Sequence, residues 1–345
     1  MTRATTRFAK GHGTRNDFVL VSDTSGTLDV TPEMVRALTD RRGGIGADGF
    51  IRLVPTALVP ESRAVLAEDP HAIWFMDYRN ADGSVAEMCG NGVRVFAAFA
   101  EHLGLLDLAP RADGSPAPAV AIGTRAGVKR IAKEPNGWYA VDMGPWHLPG
   151  GREALDAGFD ATVVVAGWEV PRPALSVDVG NPHTVLALAR EDLLEGADLT
   201  QVPTVEPTPA HGTNVELVVP LGEETADDGT LVGHVRMRVH ERGVGETQSC
   251  GTGACAAALA VRVWGGPQAP DVWRVDVPGG TVRVRALDTG HVELAGPAAL
   301  VFTGEIDLAA LVPAAPTPPP PPPAPPVTEE PAPETEESAP EPATA

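Results

Sequence analysis

The sequence predicts an α+β protein built from a duplicated unit, and three observations predict it. A Cys-Gly-x-Gly run heads an apolar helical stretch twice, in "MCGNGVRVFAAFA" (88–100) and in "SCGTGACAAALA" (249–260). Each stretch is flanked in its own half by several short β-rich runs. Most connections are of hairpin length, which suits mixed or antiparallel sheets rather than a doubly wound parallel one.

Taken in order, "DFVLVSD" (17–23) reads as a strand. "TPEMVRALTDRR" (31–42) reads as a helix, with Thr31 as N-cap, Pro32 in the first helical position and Glu33 in the first turn. "FIRLV" and "AIWFMDYRN" read as strands, separated by a surface insertion over 55–70, and "NADGS" (80–84) as a turn. A helix runs from Gly90 to about Leu106. "AVAIGTRAG", "VKRIAKE" and "WYAVDMG" then form a meander, with "EPNG" turning one pair. The second round starts near residue 141, with strands at "ATVVVAGWEV", "ALSVDVG", "HTVLALA", "NVELVVP" and "LVGHVRMRVHERG". His234 and His240 are an even distance apart in the last of these and are expected on one solvated face. A helix from Gly251 to about Trp264 follows, then a hairpin across Pro278-Gly279-Gly280. From Pro316 the chain is almost free of large apolar side chains and reads as a disordered, polyproline-type acidic tail.

Of the formal charge of −20, six glutamates of that tail carry −6, leaving −14 for the rest. That balance argues against non-specific nucleic-acid binding and against anionic membranes. Three cysteines at long spacings make no disulfide framework, so a reducing cytoplasm is expected. "MTRATTRFAKGHG" has no secretory core, and no apolar run has transmembrane length.

Cys89 and Cys250 carry the chemistry. Each stands at a helix start, where unpaired N–H groups and the positive end of the macrodipole favour thiolate. The glycines that follow let an anion approach the amides. One such cysteine is a weak signal, since free cysteine is often only buried. Two with matching neighbours, 161 residues apart, are much harder to dismiss. Cys255, on another face of its helix, reads as a small core residue. One chemistry that wants two activated thiols is removal of an amino acid's α-proton on one face and its return from the other. A pair sharing one proton arises because two close thiols do not both ionise cheaply.

Cofactor chemistry has little support. None of the three lysines has the setting of a pyridoxal Schiff base. "GIGADG" (44–49) follows a helix and enters a strand, the reverse of a dinucleotide fold. The nine histidines lack zinc spacing, and no Cys-x-x-Cys supports a redox pair. Neither cofactor nor metal is expected. Asn16, Asn80, Asn91, Asn181 and Asn214 punctuate loops and together could hold a polar ligand. Glu241 and Arg242 precede Cys250; beside a reactive thiol, Arg suits a carboxylate and Glu an ammonium.

"HGTRNDF", "RRGGIGADGF", "NADGSVAEMCGNGVR", "GNPH" and "ERGVGETQSCGTGACAAA" resemble the diaminopimelate epimerases, in order, from about residue 8 to about 310. Proline racemase and hydroxyproline epimerase share the paired cysteines but usually lack the Glu-Arg-Gly-x-Gly-Glu-Thr lead-in. The resemblance implies cofactor-independent epimerisation of LL-2,6-diaminoheptanedioate to the meso form, for lysine and peptidoglycan synthesis, in a cytoplasmic homodimer. It implies two pseudo-symmetric domains, each a mixed, mostly antiparallel sheet wrapped around a central helix, with the site in the cleft between them. These would span 1–140, completed by a strand from 303–312, and 141–302, before a tail at 313–345. Cys89 and Cys250 would be the acid/base pair. Gly90, Asn91, Gly251 and Thr252 would hold the reacting carboxylate. Asn16, Asn80, Asn181, Asn214 and Arg242 would recognise the rest of the substrate, and His183 and Glu241 would tune the thiols. Two places depart from the family: Thr14-Arg15 replaces a frequent Leu-Gly, and Gly49 replaces a frequent glutamine.

Overall fold

In the computed structural model, which describes residues 5–109, 111 and 117–311, one pairing scheme is used twice. The first half holds β1 (Thr6–Gly13), β2 (Asn16–Ser22), β3 (Gly49–Pro55), β4 (Trp74–Asn80), β5 (Val120–Thr124), β6 (Gly127–Lys133) and β7 (Tyr139–Pro145). Its helices are α1 (Pro32–Thr39), α2 (Arg63–Glu68) and α3 (Gly90–His102). In the second half come α4 (Gly151–Ala157), β8 (Ala161–Val164), β9 (Arg172–Asp178), β10 (Pro182–Ala187), α5 (Glu191–Glu195), β11 (Thr204–Glu206) and β12 (Asn214–Thr225). After them come β13 (Leu231–Glu241), β14 (Gly245–Thr247), α6 (Gly251–Gly265), β15 (Val272–Val277), β16 (Gly280–Ala286) and β17 (His291–Gly296). The described chain closes with β18 (Ala299–Ile306) and α7 (Leu308–Leu311).

From β1 to β7, neighbours pair antiparallel, parallel, antiparallel, parallel, antiparallel, antiparallel. The run β9, β10, β12, β13, β15, β16, β17 repeats that order. In each half the second parallel crossover is the cysteine-headed helix, α3 between β4 and β5 and α6 between β13 and β15. The fold is therefore α+β, a continuous mixed sheet in two pseudo-symmetric halves, each half wrapped around a helix. The halves join where β7 pairs with β17, and β18 returns to pair with β1. That returning strand begins earlier than the expected 303–312 and gives way to α7.

Both helices are apolar nearly all round, which is why a sheet encloses each. On α3 every residue from Gly90 to Ala100 is buried, and on α6 Ala254 to Val261 are buried. They share one core, with Phe96 and Phe99 on one side and Leu259 and Val261 on the other. Along α6 small alanines keep the helix thin, so β-strands approach it closely.

The first helix starts as expected: Thr31 caps it by accepting from the Met34 N–H, with Pro32 and Glu33 behind. It ends at Thr39 rather than Arg42, because the Asp40 carboxylate accepts from the Arg42 and Gly43 amides and turns the chain. The 55–70 segment is more than a surface insertion. Val59 and Val65 pack with Val54 and Phe75 in a small core of their own. His240 is a correction as well: it is buried, its Nδ1 3.0 Å from the Leu199 carbonyl, and half-buried His234 pairs with Asp276. The tail expected over 313–345 lies outside the described residues. Among the described residues no helix is long and apolar enough to cross a membrane.

Candidate active site

The site is assembled from two helix starts. Cys89 is the N-cap of α3 and its Sγ accepts from the Gly92 N–H at 3.4 Å. Cys250 is the N-cap of α6 and its Sγ accepts from the Gly253 N–H, also at 3.4 Å. Sulfur thus stands where serine or aspartate usually caps a helix. The helix starts themselves touch: a Cβ built on Gly251 would lie 3.3 Å from Gly90 Cα and 3.5 Å from Asn91 N. Only glycines allow that approach.

Around Cys89, Asn16 offers its Oδ1 to the thiol at 3.6 Å and to Asn91 Nδ2 at 3.3 Å. Asn91 Nδ2 also donates across the junction to the Ser249 carbonyl at 3.0 Å. Thr14, at the β1–β2 turn, places its hydroxyl 2.6 Å from that of Ser249. Asn80, at the end of β4, accepts from the Tyr78 hydroxyl at 3.1 Å and donates to Ser84, so part of its role is the turn.

Around Cys250, Thr252 Oγ1 is 3.5 Å from the sulfur. Behind it His183 and Glu216 form a fully buried pair, Nδ1 to Oε1 at 2.7 Å, while His183 Nε2 meets Asn181 Oδ1 at 3.1 Å. Glu241 accepts from the Thr247 hydroxyl. Asn214 donates to the Pro182 carbonyl and accepts from the Arg242 N–H at 2.9 Å. Exposed Arg242 directs its guanidinium at the His211 carbonyl, so Glu241 and Arg242 do not form a pair of their own.

The electrostatics differ from what the helix starts alone suggest. Desolvation pushes the Cys89 thiol up to about 11, with Glu241 adding to the rise and the Gly92 amide and Arg94 opposing it. Cys250 is also pushed well above the ordinary thiol range, by desolvation and then by the carboxylates of Glu241 and Glu216. Burial also raises the Glu241 carboxyl. Burial therefore favours the thiol form of both sulfurs, contrary to the lowered values expected from the macrodipole. Cys255 is fully buried in the shared core, as its placement on another helix face suggests.

Three residues passed over in the sequence stand here: Tyr78, Arg94 and Glu216. Arg94 and Glu216 leave a trace, each being the one charged side chain in an apolar run ("GVRVFAAFA", "VELVV"), whereas Tyr78 follows charged Asp77 and has no such mark. Tyr78 also explains Gly49. A Cβ there would lie 2.7 Å from the Tyr78 ring, so the tyrosine occupies the space a longer side chain would need. Among the described residues no cluster of three or more His, Cys, Asp or Glu could hold a metal ion.

The sequence profile described as diaminopimelate epimerase matches residues 8–148 and 175–301. The chain is 46% identical over 311 residues to a diaminopimelate epimerase of Streptomyces coelicolor, covering 88% of this chain and 96% of that one. It is 43% identical over 311 residues to that of Thermobifida fusca, covering 88% and 99%. Solved structures share the fold at low identity. A hydroxyproline epimerase from Agrobacterium vitis has a TM-score of 0.54 at 15% identity, covering 88% of this chain and 91% of that one. A PhzF-family phenazine biosynthesis protein from Bacillus anthracis also has a TM-score of 0.54 at 15% identity, covering 88% and 99%. With the profile spanning most of the chain and curated relatives above 40% identity along nearly their full length, this protein belongs to the diaminopimelate epimerase family and is an isomerase.

Proposed function

We propose that Cys89 and Cys250 epimerise LL-2,6-diaminoheptanedioate to its meso form as a one-proton pair. One sulfur, as thiolate, takes the α-proton while the other, as thiol, delivers its own proton to the opposite face of the same carbon. The C–H bond broken on one side is replaced by a C–H bond on the other. The enzyme ends with the two protonation states exchanged. Gly90, Asn91, Gly251 and Thr252 line the junction, where amides of two helix starts converge and suit the reacting carboxylate. Asn16, Asn80, Asn181, Asn214 and Arg242 hold the distal amino-acid end, and His183 and Glu241 adjust the Cys250 side. The observation that carries this reading is the contact of Gly251 with Gly90, which brings the two cysteine caps to one place.

The same reading takes 1–140, with the return strand, and 141–302 as two domains that close over substrate and exclude water. It also takes the active species as a cytoplasmic homodimer, and the 313–345 tail as disordered.

The test is α-deuterium uptake in D₂O from diaminoheptanedioate and, in parallel, from proline derivatives. Wild type should label only the former. Cys89→Ala and Cys250→Ala should each abolish two-way epimerisation, and substantial turnover by either removes the pairing. Labelling of proline derivatives instead would favour the racemase reading. Binding without any exchange would favour a non-catalytic binder.

A further inference from the structure

Arg94 is the largest fully buried side chain of the described residues. Its guanidinium has four partners, all uncharged: the Gly90 carbonyl at 3.2 Å, Asn91 Oδ1 at 2.7 Å, Thr14 Oγ1 at 3.4 Å and the Pro297 carbonyl at 3.4 Å. Other enclosed arginines here are paired with carboxylates: Arg52, Arg79 and Arg125 share Asp77, and Arg283 lies between Glu134 and Glu293. Two strands approach Arg94 with glycine alone. A Cβ on Gly13 would lie 3.1 Å from Nη2, and one on Gly296 would lie 3.3 Å from Nε. The enclosure leaves no room there for a carboxylate side chain.

An unpaired buried cation is a heavy penalty, normally removed by evolution or matched by an anion. Here it stands in the first turns of α3, beside two helix starts that are themselves electropositive. Three sources of positive potential converge with no fixed anion among their bonded partners. The ionisable groups that act on Arg94 are Cys89 and Cys255, and burial draws the guanidinium down to about 10 while both sulfurs resist that change. Cys255 is sealed in the core, so Cys89 is the one that can meet substrate.

We propose that Arg94 is a positioning residue of the epimerisation, orienting Asn91 at the junction and supplying the standing charge against which the Cys89 thiolate forms. It touches neither substrate nor sulfur; it acts through Asn91, the Gly90 carbonyl and its field. This rests on the two-cysteine reading. Cys89 is faced by Glu241 of β13, which opposes the thiolate, by the Gly92 and Asn91 amides, which favour it, by Tyr78 of β4 and by neutral Asn16 of β2.

The experiment is iodoacetamide labelling of Cys89 in the full chain without substrate, followed by peptide mass, between pH 7 and 10. Below the thiol's midpoint the rate tracks the thiolate fraction, so a rise of about one pH unit slows labelling about tenfold at every pH. Arg94→Gln should slow Cys89 labelling by about that factor and lower kcat more than it changes KM. Arg94→Lys, which keeps the charge, should restore the labelling rate while recovering only part of kcat. A merely structural role would loosen the caps and speed labelling. Unchanged or faster labelling in folded Arg94→Gln overturns the proposal. Failure of both variants to fold would assign Arg94 to folding alone and overturn it as well. Labelling needs no turnover, so an exchange-competent Cys89→Ala would sink the two-cysteine reading separately.

Discussion

Cys89 couples its own protonation to folding. Its thiol is held from an ordinary value near 9 up to about 11, so the folded state keeps a proton that the unfolded chain releases. Its contribution to stability is full below about pH 9 and is lost as pH rises to about 11. Cys250 acts in the same direction. Urea melts from pH 7.5 to 10.5 should show stability falling with pH, and Cys89→Ala should flatten part of that fall; an unchanged slope would contradict the shift. At Gly49 a longer side chain has no place beside Tyr78, so Gly49→Gln should lower the melting temperature rather than improve substrate affinity. The cysteines were legible because helix-capping chemistry is local and repeats. Glu216 and Arg94 were not, because their significance depends on which distant groups surround them. The fully buried pairing of Glu216 with His183 joins residues 33 apart on neighbouring strands.

Among elements, the starts of both central helices were readable, since a largely apolar helix with a sulfur cap signals itself in sequence, but the first stops at His102 rather than near Leu106, capped at Leu103. The first strand was not readable. "TRFAKGHG" buries Ala9, Gly11 and Gly13, small residues that carry no alternating hydrophobic signal, and its place comes from β2 on one side and β18 on the other. Short α4 and α5 were missed for a similar reason, being about one or two turns held by their surroundings. Two turns meet at the junction. The β1–β2 turn has Thr14 at φ 49° and Arg15 at φ 64°, unusual for non-glycine residues and especially for a β-branched one. Against it packs the β15–β16 turn, where a Cβ on Gly279 would lie 1.9 Å from the Thr14 carbonyl oxygen. Gly279→Ala should therefore push the turns apart, destabilising the protein by about 1–3 kcal/mol and lowering kcat. A variant with wild-type melting and turnover would show that the contact yields freely. In the core, Phe96→Ala should destabilise by about 3–5 kcal/mol in denaturant melts.

Across the whole molecule, the halves are one continuous structure. The β7–β17 pairing runs through the seam, the β18–β1 pairing returns the chain to the first half, and both helices share a core. Urea unfolding should be a single step, with tryptophan fluorescence and far-ultraviolet circular dichroism following the same curve; two resolved steps would contradict it. Duplication was visible in the sequence through its paired motifs, whereas the seam was not, because strand pairing between positions about 150 residues apart leaves no local mark. The seam has an electrostatic cost. Two helices of opposite halves bring like poles together at Gly90 and Gly251, and like poles repel. A small anion seated between the two poles would offset that repulsion. Sulfate or carbonate should accordingly raise the melting temperature more than chloride at equal ionic strength, making the molecule's tightness a gauge of what sits at its centre.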